Sequence, residues 1–105
     1  PPAEQALGHA TWVLMLFMAG VYPEKPSLRD KSDMGSFLAL LLRLYPCQNL
    51  AHTGCNKPQL DSRAEFGWWM CEAHNEVNRK LGKKQFDCRL WQERWITGLG
   101  DRRCS

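Results

Sequence analysis

The sequence predicts an all-α fold, a small bundle of three longer helices, one short helix and a terminal turn of helix. Three observations predict it. Apolar residues recur at steps of three and four, the signature of helices that bury one face. No strand-like alternation occurs, and Val, Ile and Thr are scarce. Proline and glycine interrupt the chain at helix-length intervals, as in "YPEKP" and "KLGKK".

The first helix is expected from about Ala3 to Val21, stopped by the prolines that follow. Its apolar stripe is Trp12, Met15, Leu16 and Ala19. The second opens after Pro26, with Ser27 as N-cap and Asp30 at the third helical position, a capping-box pattern. It carries Met34, Phe37, Leu38 and Leu41 as its stripe, reaches Tyr45 and stops at Pro46. In "CQNLAHTGCNKP", Gly54 and Pro58 leave room for a short helix at most. The next long helix starts at "DSRAEF", capped by Asp61 or Ser62, with Glu65 favourably placed in its first turn. It runs to Leu81 and ends at Gly82 as its terminal glycine. A last short helix covers about Arg89 to Trp95.

At 105 residues the chain reads as one domain over 1–105, with a single modest core. Its 44% apolar and 24% charged residues are those of an ordinary globular protein. The net charge of +3 is mild and interspersed with acidic residues, so no nucleic-acid partner is expected. No membrane insertion is expected either. The apolar run "TWVLMLFMAGVY" is shorter than the roughly 20 residues a spanning helix needs. Pro1, Pro2 and Glu4 do not give the basic start of a signal peptide.

The chemistry concentrates on the helix after "DSRAEF". Cys71, His74, Asn75, Asn78 and Leu81 recur at steps of three and four and so share one face. Two amides, an imidazole and a thiol do not make an ordinary core face. Buried amides left without partners cost about 1–3 kcal/mol each, so this face meets water, a neighbouring helix or a polar ligand. A zinc site is one reading, from the C-x-x-H spacing of Cys71 and His74 with Cys88 and Cys104 downstream. A Cys71–Cys88 disulfide is another, since Gly82 and "KKQFD" let the chain turn back, and it requires an oxidising compartment. Arg79, Lys80, Lys83 and Lys84 form the most basic patch, either a solvated face or a clamp for a phosphate.

Taken together, "LGHATW", "YPEKP", "LYPC", "WWMCEAHNEVNRKLGKKQFDC" and "RWITG" closely resemble the Erv/ALR family of FAD-linked sulfhydryl oxidases, over nearly the whole chain. The resemblance implies a four-helix bundle with a short fifth helix and FAD at its mouth, usually a homodimer. It implies that Cys71 and Cys88 form the structural disulfide. Cofactor contacts fall on Gly8, His9, Trp12, Leu16, Tyr45, Cys71, His74, Asn75, Val77, Asn78, Leu81, Lys83, Lys84, Phe86 and Trp95. Cys104 matches a tail cysteine that bonds the partner subunit. The implied substrates are protein dithiols, with oxygen or cytochrome c as acceptor. The implied location is the mitochondrial intermembrane space or, alternatively, the secretory pathway or another oxidising compartment.

The family's redox centre is a C-x-x-C after "YP", at a helix N-terminus that favours the thiolate. Its outer cysteine exchanges with substrate, and its inner cysteine passes two electrons to the flavin. Here the motif reads "CQNL": Cys47 matches the outer cysteine, and Leu50 stands where the inner one is expected. Cys55 is the candidate replacement, which makes Cys47 and Cys55 the expected catalytic pair, with His52 between them. If no such pair forms, the chain is a flavin-binding or structural helical dimer without turnover. Three more positions depart from the family: His9 for arginine, Leu16 for histidine and Leu99 for tryptophan.

Overall fold

The computed structural model describes residues 2–45 and 57–91. Among them every regular element is a helix: α1 (Pro2–Val21), α2 (Leu28–Leu44), α3 (Arg63–Lys80) and the short α4 (Cys88–Trp91). The segment expected to hold a short helix, and the chain after Trp91, lie mostly outside the described residues.

Capping chemistry fixes the helix ends. The Ser27 hydroxyl accepts from the Asp30 amide at 3.0 Å, and the Asp30 carboxylate accepts from the Ser27 amide at 2.9 Å. This reciprocal pair satisfies two otherwise orphaned groups at the start of α2. At α3 the cap is Ser62, not Asp61, and its hydroxyl accepts from the Glu65 amide at 3.1 Å. The helix ends one residue earlier than expected, with Leu81 as C-cap and Gly82 one position beyond. Gly82 has φ +71°, which only glycine adopts without strain. From that turn the Lys83 amide donates to the Asn78 carbonyl at 2.8 Å and the Gly82 amide to the Arg79 carbonyl at 3.2 Å. This is the paired-bond helix end that reverses the chain.

The core lies between α1 and α3, which pack against each other, with α4 against the far end of α3. Met15, Leu16 and Ala19 of α1 meet Phe66, Trp69, Met70, Cys71 and Ala73 of α3, with Tyr22 and Leu38 closing the cluster. From α2 only Leu38 is fully buried. Met34 and Leu41 pack at its margin, but Phe37 remains 39% exposed, against its expected place in the stripe. The reason is geometric: a peripheral helix buries one row of side chains, and Phe37 lies beside that row.

Polar staples tie the turns to the core. The Tyr22 hydroxyl donates to the Leu60 carbonyl at 2.8 Å, and Arg63 Nε donates to the Tyr22 carbonyl at 2.6 Å. No helix among the described residues is long and apolar enough to cross a membrane.

Candidate functional site

The last two and a half turns of α3 carry the polar face, and the fold brings three rings together there. Trp12 of α1 stacks on His74 of α3, with ring centroids 4.1 Å apart and planes 11° from parallel. Phe86, on the strap between α3 and α4, tilts against His74 with ring centroids 4.9 Å apart. Trp12 reaches this position because α1 packs along α3. Next to it, the Tyr45 hydroxyl donates to Thr11 Oγ1 at 3.0 Å, and Thr11 donates to the Leu7 carbonyl at 2.7 Å. That chain fastens the end of α2 beside the stack. Thr11 was not an expected site residue; its only signal was a lone hydroxyl opening an apolar run.

His74 is held uncharged. Burial lowers its pKa from 6.5 to about 4, and the Lys83 charge adds to the effect. The Gly82 turn is what brings Lys83 back towards the ring. The result is a neutral imidazole in contact with two aromatic rings and within the field of a cation.

The strap from Lys83 to Asp87 is pinned twice. Cys71 and Cys88 form a disulfide, with Cα atoms 5.7 Å apart. One turn along α3, the Asn75 side chain clamps the Phe86 peptide. Its Nδ2 donates to the Phe86 carbonyl at 2.9 Å, and its Oδ1 accepts from the Phe86 amide at 2.7 Å. Nδ2 also lies 3.5 Å from Cys88 Sγ. Asn75 was expected to contact a cofactor; the structure engages both ends of its amide with the chain itself.

Asn78 differs. Its side chain is as buried as that of Asn75, at 6% against 9% exposed. Among the described residues its carboxamide has no hydrogen-bond partner, a costly state for a buried amide. Native interiors leave such groups unpaired mainly where a ligand or water completes them.

The other expected contacts divide. Val77 is buried near Asn78, whereas Leu16 and Cys71 belong to the apolar core. Leu81, Lys83, Lys84 and Phe86 are exposed on the strap side, and Gly8 and His9 lie towards the solvent end of α1. Cys47, Leu50, His52, Cys55, Trp95, Leu99 and Cys104 lie outside the described residues. The zinc reading fails for Cys71 and Cys88, because their sulfurs bond each other and offer no thiolates. No cluster of metal-ligating side chains occurs among the described residues.

The residues fit the dinucleotide that the resemblance implies. Planar rings in a stack suit an aromatic heterocycle. An unpaired buried amide suits its polar edge, and Lys83 and Lys84 suit a pyrophosphate.

Fold and site define a helical scaffold with a cluster of aromatic rings and buried amides at one end of α3. The chain belongs to the Erv1 / Alr family, whose sequence profile matches residues 9–96. Over 103 residues it is 43% identical to the mitochondrial FAD-linked sulfhydryl oxidase ERV1 of Saccharomyces cerevisiae, covering 93% of this chain and 54% of that protein. It is 39% identical over 100 residues to the FAD-linked sulfhydryl oxidase ERV1 of Arabidopsis thaliana, covering 90% and 52%. The chain thus spans about half the length of the curated relatives it matches. The crystal structure of the yeast Erv1 core superimposes with a TM-score of 0.84 at 43% identity, covering 93% of this chain and 87% of that one. The FAD binding domain of Erv1 from Saccharomyces cerevisiae gives 0.81 at 42% identity, covering 89% and 93%. At such identity the two share a fold, the all-helical one expected from the sequence.

Proposed function

We propose that this chain is the FAD-binding domain of a sulfhydryl oxidase that converts protein dithiols to disulfides. The observation that carries the reading is the buried carboxamide of Asn78, without a partner among the described residues, one turn from His74 in the Trp12–His74–Phe86 ring cluster. The identity to oxidases so named supports the same reading.

Each residue has a definite part. Trp12, His74 and Phe86 offer planar faces, and the neutral His74 ring presents no charge to repel Lys83. Asn78 supplies a donor and an acceptor to the ligand's polar atoms. Lys83 and Lys84 hold the pyrophosphate, and Asn75 keeps the strap in register. When bound, FAD supplies a two-electron acceptor for thiol pairs. Cys47 takes the disulfide exchange with substrate, Cys55 is its partner thiol, and oxygen or cytochrome c receives the electrons.

A homodimer belongs to this reading. Leu7, Leu14 and Val21 form a row at seven-residue steps on the outside of α1, each 38–54% exposed. Phe37, Leu40 and Leu44 continue apolar exposure on α2, and a second copy would cover both rows. The location proposed is the mitochondrial intermembrane space. The Cys71–Cys88 bond needs an oxidising compartment, and the yeast relative is named mitochondrial.

Purified protein should be yellow, release FAD on denaturation and consume oxygen with dithiothreitol as reductant. Cys47→Ser should abolish that uptake. Colourless protein that fails to take up added FAD would sink the reading. Leu50, at the position of the flavin-proximal cysteine, favours a second reading, a flavin-binding helical dimer without turnover. Retained FAD with no oxygen uptake would select it.

A further inference from the structure

We infer that a cup on the outer face of α3 docks an arginine side chain of the protein whose thiols are oxidised. The identity of that partner as a substrate rests on the oxidase reading above; the cup itself does not.

The cup is an open cavity of about 260 Å³ on the first half of α3, lined by Trp68, Trp69, Glu65, Glu72, Ala64 and Gln59. Glu65, Trp68 and Glu72 follow at steps of three and four, so the indole is flanked by a carboxylate one turn before it and one turn after it. Trp68 is 38% exposed, whereas Trp69 is 8% exposed and anchored in the core cluster.

Two features make this more than a solvated face. An exposed indole costs the free protein apolar surface in water and returns little as packing. The two carboxylates, moreover, have no cation among the described residues. Glu65 accepts from the Ser62 hydroxyl at 3.2 Å, and neither glutamate is in an ion pair among the described residues. Two of the cations near this end of α3 are engaged elsewhere. Arg63 bonds the Tyr22 carbonyl and Glu24, and Lys31 pairs with Asp61. On a chain of net charge +3, an aromatic wall between two carboxylates that form no ion pair among the described residues is a local reversal of sign.

The chemistry selects guanidinium over ammonium. A guanidinium is planar, stacks flat on an indole and still directs N–H groups sideways to carboxylates. A lysine ammonium is a compact, more strongly hydrated charge and loses more on leaving water. The place suits a substrate. Gln59 on the rim follows Cys55 by four positions, so a partner anchored here is held beside the chain that leads back to the proposed thiol pair.

The test uses the full FAD-loaded chain. Its first probe is a cysteine-free peptide carrying one arginine, with a citrulline peptide of the same sequence as the uncharged control. The arginine peptide should shift the Trp68 indole N–H resonance to saturation, and the citrulline peptide should not. Glu72→Gln and Trp68→Ala should each weaken binding roughly five- to thirtyfold. With matched dithiol peptides, arginine should lower KM by a similar factor at unchanged kcat. That advantage should vanish in both variants, while dithiothreitol turnover stays at the wild-type value. An equal response to citrulline, or no saturable shift at Trp68, would overturn the inference and leave the oxidase reading intact. Saturable binding with the KM advantage preserved in Glu72→Gln would overturn the substrate role. Absence of dithiothreitol turnover in the wild type would instead count against the oxidase reading, with the Trp68 shift still deciding the cup.

Discussion

The two halves of α3 are built from the same helix and do opposite work. From Arg63 to Met70 the inward residues are Phe66, Trp69 and Met70, in a dry cluster where the Tyr22 ring meets the edge of Phe66 at 5.0 Å. From Cys71 to Lys80 the buried set includes Asn75 and Asn78, with His74 beside them. The first half is stabilised by removing apolar surface from water, a term that needs no particular partner. The second half buries amides, which are tolerable only when each finds a specific partner. One end therefore supplies stability that the other end uses to hold polar groups ready. Mutations in the two halves should differ in kind as well as in size.

The largest effect is expected in the dry half. Phe66 is 0% exposed, and Phe66→Ala should destabilise the chain by about 3–5 kcal/mol in chemical denaturation. That loss should be the same with and without reductant. Cys88→Ala comes next, at the far end. It opens the loop closed by the Cys71–Cys88 bond, for a loss on the order of 3 kcal/mol. Reductant should lower the melting temperature of the wild type towards that of Cys88→Ala and leave the variant nearly unmoved. A variant still sensitive to reductant would place the stabilising bridge elsewhere.

The difference between the halves also separates what the sequence disclosed from what it hid. Ser27 with Asp30, Ser62 with Glu65, and Gly82 are local signals, because each cap involves residues within one turn. The polar face of α3 was legible for a similar reason: helical spacing alone aligns Cys71, His74, Asn75 and Asn78. What those side chains meet was not legible. Asn75 binds a peptide eleven residues away, and a backbone group has no residue-type signature. Cysteine spacing left both a disulfide and a metal site open, with the metal site the weaker reading, and the 5.7 Å approach of the Cα atoms decides between them. Periodicity gave α2 an apolar stripe without its width, which is why Phe37 was expected inside.

Asn75→Leu probes the second half more finely. It removes both bonds to the Phe86 peptide and should cost about 1–3 kcal/mol. Hydrogen exchange at the Phe86 amide should accelerate, while the amides of the Phe66 turn keep their protection. Loss of protection in both places would mean that the halves do not behave separately.

His74 gives the comparison a pH dependence. Its pKa in the fold is about 4, against 6.5 when free, so the unfolded chain binds more protons between those values. Stability should rise with pH across that window, stay level above about 6.5, and fall as pH drops towards about 4. In FAD-free protein, His74→Phe should flatten the melting curve against pH in that window. A slope unchanged by the substitution would assign it to another group.

The smallest change in stability should come from the residue most tied to the proposed function. Asn78 lies one turn beyond Asn75, is equally buried and has no partner for its carboxamide among the described residues. Replacing a buried amide that lacks a partner removes a desolvation cost without breaking a bond. Asn78→Leu should therefore leave the FAD-free chain within about 1 kcal/mol of wild type, on the stabilised side if anywhere. The same substitution should weaken FAD binding measured by titration, because the ligand loses the amide that it alone completes. The two asparagines then carry opposite signs: Asn75→Leu costs the empty fold, and Asn78→Leu costs only the loaded one. If Asn78→Leu destabilises the empty chain as much as Asn75→Leu does, its amide has a partner within the protein, and its place in the ligand site must be given up.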